Sequence, residues 1–138
     1  MTIAVDSIKK QDSLNMRKLV KEAPFTSEKK GDSVIQRRTI KYTTIVQFYN
    51  RELNNAAYSF YELTTDPTQL SKALQWSARA NEFIQTYTSM NTQAQLLFKT
   101  GKKEEAVEWQ NKAIAMKKKL GFDTKSLEKE LLDMQNGK

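Results

Sequence analysis

The side chains with any capacity for chemistry here are acids and aromatics, because the 138 residues include no Cys and no His. That composition removes thiol nucleophiles, disulfides, imidazole bases and every zinc site built on Cys or His. Glu104, Glu105 and Glu108 stand next to Lys102 and Lys103. Their position at a predicted helix start explains them: acids there complement the macrodipole, and Glu108 reaches Lys112 at i,i+4. No paired carboxylates, Gly-rich phosphate loop or nucleophile–base arrangement is visible. The aromatics from Phe48 to Tyr61 could stack nucleic-acid bases, but their helical spacing assigns them to packing. The expectation is a non-enzyme with no catalytic residue, no cofactor and no metal.

The elements that would position any site must fit a thin core. Hydrophobic residues are 38% of the chain, below the roughly 45–50% usual for globular domains, so the core is elongated or one segment is poorly ordered. Four Gly and two Pro are too few for a β fold that turns every ~8–12 residues. The net charge of +7 is uneven: residues 1–50 hold ten Lys/Arg against five Asp/Glu, residues 51–100 four against four, and residues 101–138 nine against seven. The doublets Lys9–Lys10, Lys29–Lys30 and Arg37–Arg38 are isolated, without the interleaved aromatics of a nucleic-acid surface. A solvated face is the expectation, with nucleic acid the alternative partner. No apolar run approaches the ~18 residues of a membrane span, and Met1 to Lys10 has no apolar signal core. The chain reads as soluble: cytoplasmic as it stands, periplasmic or envelope-associated if it is part of an exported protein.

Residues 1–32 read as a weakly ordered basic arm or a short helix, Ser13 to Ala23, followed by a linker from Thr26 to Asp32. Ser33 and Gln36 have the form of a capping box opening the helical domain, residues 33–138. Tyr42, Val46, Tyr49, Leu53, Ala56, Phe60 and Leu63 recur at alternating steps of 4 and 3, one face of a helix. Alternation from Ile40 to Phe48 offers a competing strand, and a break near Asn50 is compatible with the pattern. Asp66 as cap, Pro67 at the first helical position and Gln69 completing a box start the next helix, with Leu70, Ala73, Leu74, Trp76, Ala80, Phe83 and Ile84 apolar. Further helices are predicted from Thr88 to Lys99, closed by Gly101, from Lys102 to Leu120, closed by Gly121, and over 124–135. Lys117, Lys118 and Lys119 fall in a last turn, where cations suit the dipole.

Two stretches repeat. Ala73, Trp76 and Ala80 correspond to Ala106, Trp109 and Ala113 at an offset of 33. Upstream, Leu53, Asn54, Ala57, Phe60 and Tyr61 correspond to Met90, Asn91, Ala94, Leu97 and Phe98 at an offset of 37. The four-residue difference is assigned to the turn Thr64–Gln69, against its counterpart Thr100–Gly101. Two-helix units of about 50–85 and 88–120, each with an apolar face it cannot bury alone, should stack. The small Ala positions let backbones approach, and the Trp side chains fill the space beside them.

The run Ala94, Leu97, Phe98, Gly101, Ala106, Val107, Glu108, Ala113 and Ile114 resembles a tetratricopeptide repeat. The unit from Asn54 to Ala80 resembles it more loosely. Neither unit has the family's early Trp or Leu-Gly pair, Ser77 and Gln110 stand where an aromatic is usual, and no closing Pro follows. From Leu53 to about Met134 the chain is also similar to the helical C-terminal region of some bacterial proteins with a thioredoxin-like domain. Without a Cys pair that similarity implies no redox activity. The resemblance implies an all-α fold: antiparallel hairpins in a short array, closed by a C-terminal capping helix. It also implies a peptide-binding groove at Asn54, Tyr58 and Tyr61 of one unit and Asn91, Gln95 and Phe98 of the next. The Asn amides would clamp an extended backbone with both donors and an acceptor. The implied function is protein–protein interaction or scaffolding, with another protein, a peptide or a second copy as partner.

Overall fold

A computed structural model describes residues 4–22, 26–37 and 43–137. In them the chain is all-α apart from one small hairpin: α1 (Val5–Glu22), β1 (Thr26–Lys30), β2 (Ser33–Arg37), α2 (Ile45–Leu63), α3 (Pro67–Phe83), α4 (Tyr87–Lys99), α5 (Lys103–Lys119) and α6 (Lys125–Gln135). It divides into two compact units, Met1–Val46 and Gln47–Lys138.

In the first unit the helix is longer than expected, opening at Val5 rather than Ser13. Ser33 does not cap a helix. It opens β2, which pairs antiparallel with β1 from Lys30↔Ser33 to Thr26↔Arg37. Gly31 has φ 65° while Asp32, like every other described non-Gly residue, has no positive φ, the pattern of a two-residue II′ turn with Gly first. The segment expected to be a linker is therefore a strand and its turn. Residues 38–42, where the rival strand reading began and where Tyr42 opened the predicted stripe, lie outside the described residues. Asp12 is 6% exposed, and its carboxylate accepts from the backbone N–H of Ile45 at 2.6 Å and of Val46 at 2.9 Å. Those are two of the N–H groups a helix start leaves without an internal partner, and the site favours an anion.

α2 runs unbroken through Asn50. The Asn50 amide N–H₂ donates to the carbonyls of Ala80, at 3.0 Å, and Ile84, at 2.7 Å, which satisfies the end of α3, where no glycine cap exists. The buried line of α2 is Val46, Asn50, Asn54 and Ala57. Ala56 and Leu63, both expected inside, are exposed, Leu63 at 85%. α2 and α3 form an antiparallel pair: Tyr49 stacks on Phe83 and Phe60 meets Trp76 edge-on at 5.0 Å. The turn into α4 is built from polar side chains. Asn81 donates to Gln93 Oε1 and to the Ser77 and Ser89 carbonyls, and accepts from Ser89 Oγ. Thr86 and Ser89 form a reciprocal capping box. At the end of α4, Lys102 N–H donates to Leu97 O and Gly101 N–H to Phe98 O; the same pair of bonds recurs at Phe122 and Gly121. This is the Schellman arrangement, and it requires the positive φ that Gly101 and Gly121 adopt.

The repeat is present in the packing. Ala57, Ala73 and Ala80 are fully buried, and so are Ala94, Ala106 and Ala113. Leu96 of α4 packs on Ala57 and Ala73, as Met134 of α6 packs on Ala94 and Ala106. The offset of 37 extends to α6, since Met90 and Leu97 are matched by Leu127 and Met134, all four buried. α6 thus sits against α4 and α5 as α4 sits against α2 and α3. The turns are of equal length, 64–66 and 100–102. The four extra residues are therefore not in the loop as expected: one extends the end of α2 and three lengthen the start of α3. There Asp66 Oδ1 accepts from Thr68 N–H at 2.8 Å, with Pro67 at the helix start.

Two outcomes follow. Ala94→Leu should cost about 1–3 kcal/mol, because no space exists beside a fully buried Ala; chemical denaturation measures it. Asp12→Ala should destabilise by roughly 1–3 kcal/mol through loss of two charge-assisted bonds, with faster hydrogen exchange at the amides of Ile45 and Val46.

Candidate functional site

Within the second unit, the side chains proposed for a groove divide into two groups. Tyr58, Tyr61, Gln95 and Phe98 reach one open face. The rings of Tyr58 and Tyr61, three residues apart on α2, are 5.7 Å apart. Tyr61 O–H donates to Gln95 Oε1 at 3.3 Å, joining α2 to α4. Gln95 Nε2 in turn donates to Glu130 Oε2 at 2.9 Å, joining α4 to α6. Gln110 of α5 donates to the same oxygen at 3.2 Å and to Leu127 O at 2.9 Å. Around this chain lies a cavity of ≈ 280 Å³ lined by Tyr61, Gln95, Phe98, Glu130, Asp133 and Met134.

Asn54 and Asn91 do not line it. Asn54 is 7% exposed, and the amide oxygens of both lie beneath the surface without a hydrogen-bond partner. A backbone clamp by these two amides is not available in this arrangement. Among the described residues, the other buried side-chain atoms without a partner are Ser77 Oγ and Gln110 Oε1. The four fall at two pairs of equivalent positions, Asn54 with Asn91 and Ser77 with Gln110. Each hairpin therefore carries the same internal polar pair, one residue on each helix.

The lining residues left out of the expected groove are Glu130, Asp133 and Met134, although spacing puts Met134, with Leu127 and Leu131, on the apolar stripe of the last helix. Nothing in the local pattern of α6 marks them, since its buried stripe reads as an ordinary cap. Only carrying the offset of 37 from Leu97 to Met134 places α6 beside the face of α4.

The electrostatics of the face are negative, although the chain is basic. Burial raises the Tyr61 pKa above its ordinary 10.0, and the charges of Glu130 and Glu62 add to the effect. A hydrogen bond to Glu62 raises that of Tyr58, with burial and the Glu62 charge contributing. Lys99 is the nearby cation, its Nζ 4.8 Å from the centre of the Tyr61 ring and donating to the Tyr61 carbonyl. It is not within ion-pair distance of Glu130 or Asp133; the ion pairs among the described residues are Arg51–Glu52, Arg79–Glu82 and the expected Glu108–Lys112.

A second concavity of ≈ 290 Å³ lies at the turn ends of α2–α3 and α4–α5, between Thr65, Pro67, Leu70, Leu74, Lys99 and Lys102. Among the described residues no group of His, Cys, Asp or Glu is arranged to hold a metal, and no helix is long and apolar enough to cross a membrane. Compared with protein families, with curated proteins and with solved structures, the chain gives no match.

Both tyrosines are neutral in the folded chain at pH 7, and their raised folded pKa values leave stability intact below pH 10.0. As pH rises from 10.0 through the higher folded values, the unfolded chain ionises first and stability falls. Glu130→Gln should move the Tyr61 transition towards its ordinary value, read as tyrosinate absorbance against a Tyr61→Phe control.

Proposed function

We propose that this chain is a non-catalytic protein-interaction or scaffolding module of tetratricopeptide-like type. In this reading α2 and α4 are the first helices of successive hairpins, and the face they present receives a segment of another protein or of a second copy. The observation that carries it is the grouping of Tyr58, Tyr61, Gln95 and Phe98 on one open surface beside a cavity. Tyr58 is 42% exposed, and an amphipathic ring at that exposure adds contact area at low entropic cost. A side-chain tie from Tyr61 through Gln95 to Glu130 holds the surface in shape before binding, which lowers the ordering cost of association.

The nucleic-acid alternative draws on the basic first fifty residues. The exposed Lys9, Lys10, Lys18 and Lys21 of α1 stand in a helix without aromatic residues, so a stacking platform does not accompany the charge.

A photoreactive phenylalanine analogue placed at position 58 or 98 should give a defined protein adduct, and the same analogue at Ala115, on the exposed side of α5, should not. Adduct yield should fall far less steeply with salt than binding to a phosphate backbone does. Equal labelling at all three positions would sink the reading, and adducts to nucleic acid that vanish steeply with salt would favour the alternative.

A further inference from the structure

We propose that the cavity at Tyr61, Phe98, Glu130 and Asp133 takes a lysine or arginine side chain presented by the bound segment. This rests on the interaction-module reading and adds the chemistry of its partner. The cavity combines two aromatic residues with two carboxylates, and each type of group attracts a cation for a separate reason. A carboxylate supplies charge and acceptor oxygens, and an aromatic face supplies the negative side of its quadrupole. Lys99 over the Tyr61 ring shows that ring already attracting a cation from within the chain.

The carboxylates themselves have no cation. Among the described residues, no Lys or Arg stands within ion-pair distance of Glu130 or Asp133. Glu130 is held by its Oε2, which accepts from Gln95 and Gln110. Those amides orient the carboxylate without neutralising it. An ionised carboxylate only accepts hydrogen bonds, so the two in the lining call for donors. A ligand rich in N–H groups meets that demand. An anion would be repelled, and a purely apolar group would strip water from two charges with nothing returned.

Size narrows the choice further. The volume of ≈ 280 Å³ lies just below the range of pockets for whole small molecules, roughly 300–1,000 Å³. One long side chain suits it better than a separate cofactor. The half-buried rings of Tyr61 and Phe98, also in the lining, provide apolar surface for the methylene stem that both cationic side chains carry. A bound metal ion is a poorer fit, since the described residues hold no cluster of ligands for one.

The test uses the full chain and four capped pentapeptides, Gly-Gly-X-Gly-Gly, with X arginine, lysine, citrulline or glutamate. Citrulline keeps the shape of arginine and removes its charge. Titration followed by NMR should show the arginine and lysine peptides shifting the Gln95 side-chain amide and the Tyr61 and Phe98 rings, with affinity roughly tenfold above citrulline and no response to glutamate. The paired change Glu130→Gln and Asp133→Asn should erase that preference while leaving the weak citrulline response. Gln at 130 retains a carbonyl oxygen for the Gln95 and Gln110 donors, and circular dichroism checks that the helices persist. Citrulline or glutamate binding at the same residues as tightly as arginine would overturn the cationic partner and leave the groove standing. Shifts confined to other surfaces, or none with any peptide, would overturn it too, and adducts at positions 58 and 98 then judge the groove separately.

Discussion

Close approach of helix backbones is the constraint on which the second unit depends. Six alanines, Ala57, Ala73, Ala80, Ala94, Ala106 and Ala113, have no exposed surface at all. With only a methyl group at each crossing, neighbouring helices sit near enough for larger residues to fill the flanks. Trp76 does so against Phe60, and Trp109 packs against the cluster of Ala94, Leu97, Ala106 and Met134. The stability comes from dense contact, since dispersion gains add up atom by atom in a well-filled interior.

The same closeness explains the polar interior. Where helices touch through alanines, a side-chain amide on one can reach a carbonyl on the next. Asn50 does this at the end of α3, Asn81 at the α3–α4 turn, and Gln110 at the Leu127 carbonyl. Such bonds fix orientation, because an amide left without its partner in a buried site costs about 1–3 kcal/mol. A greasy interface alone would tolerate sliding. The connection running from Tyr61 through Gln95 to Glu130 is one more link of this kind, placed at the surface. The candidate site is thus a continuation of the packing logic, and its rigidity derives from the helices that carry it.

The sequence was least informative where burial and polarity part company. Periodicity placed Leu63 and Ala56 inside α2, yet they face solvent, while Asn50 and Asn54 are buried. An apolar-step pattern has no means of recognising an Asn such as Asn50, which is inside because its amide donates to the carbonyls at the end of α3. The β1–β2 hairpin is a different case, since its signal was present. Gly31–Asp32, followed by the β-branched Val34 and Ile35, is a turn dipeptide leading into a strand. The Ser33–Gln36 spacing competed with it, and strand pairing with β1 decided the outcome.

From the residues alone came the all-α class, the helix stops at Gly101 and Gly121, the start at Asp66–Pro67 and the alanine correspondence between hairpins. These are local matters of backbone geometry and side-chain size, which neighbouring residues determine within a turn or two. Tertiary contact decided the remainder: that the extra residues become helix instead of loop, that Asn54 and Asn91 turn inward, and that Glu130 and Asp133 arrive beside Tyr61 and Phe98. No short-range rule links residues 61 and 130. Their proximity follows only from stacking three helices, each of which must cover apolar surface that its predecessor leaves open.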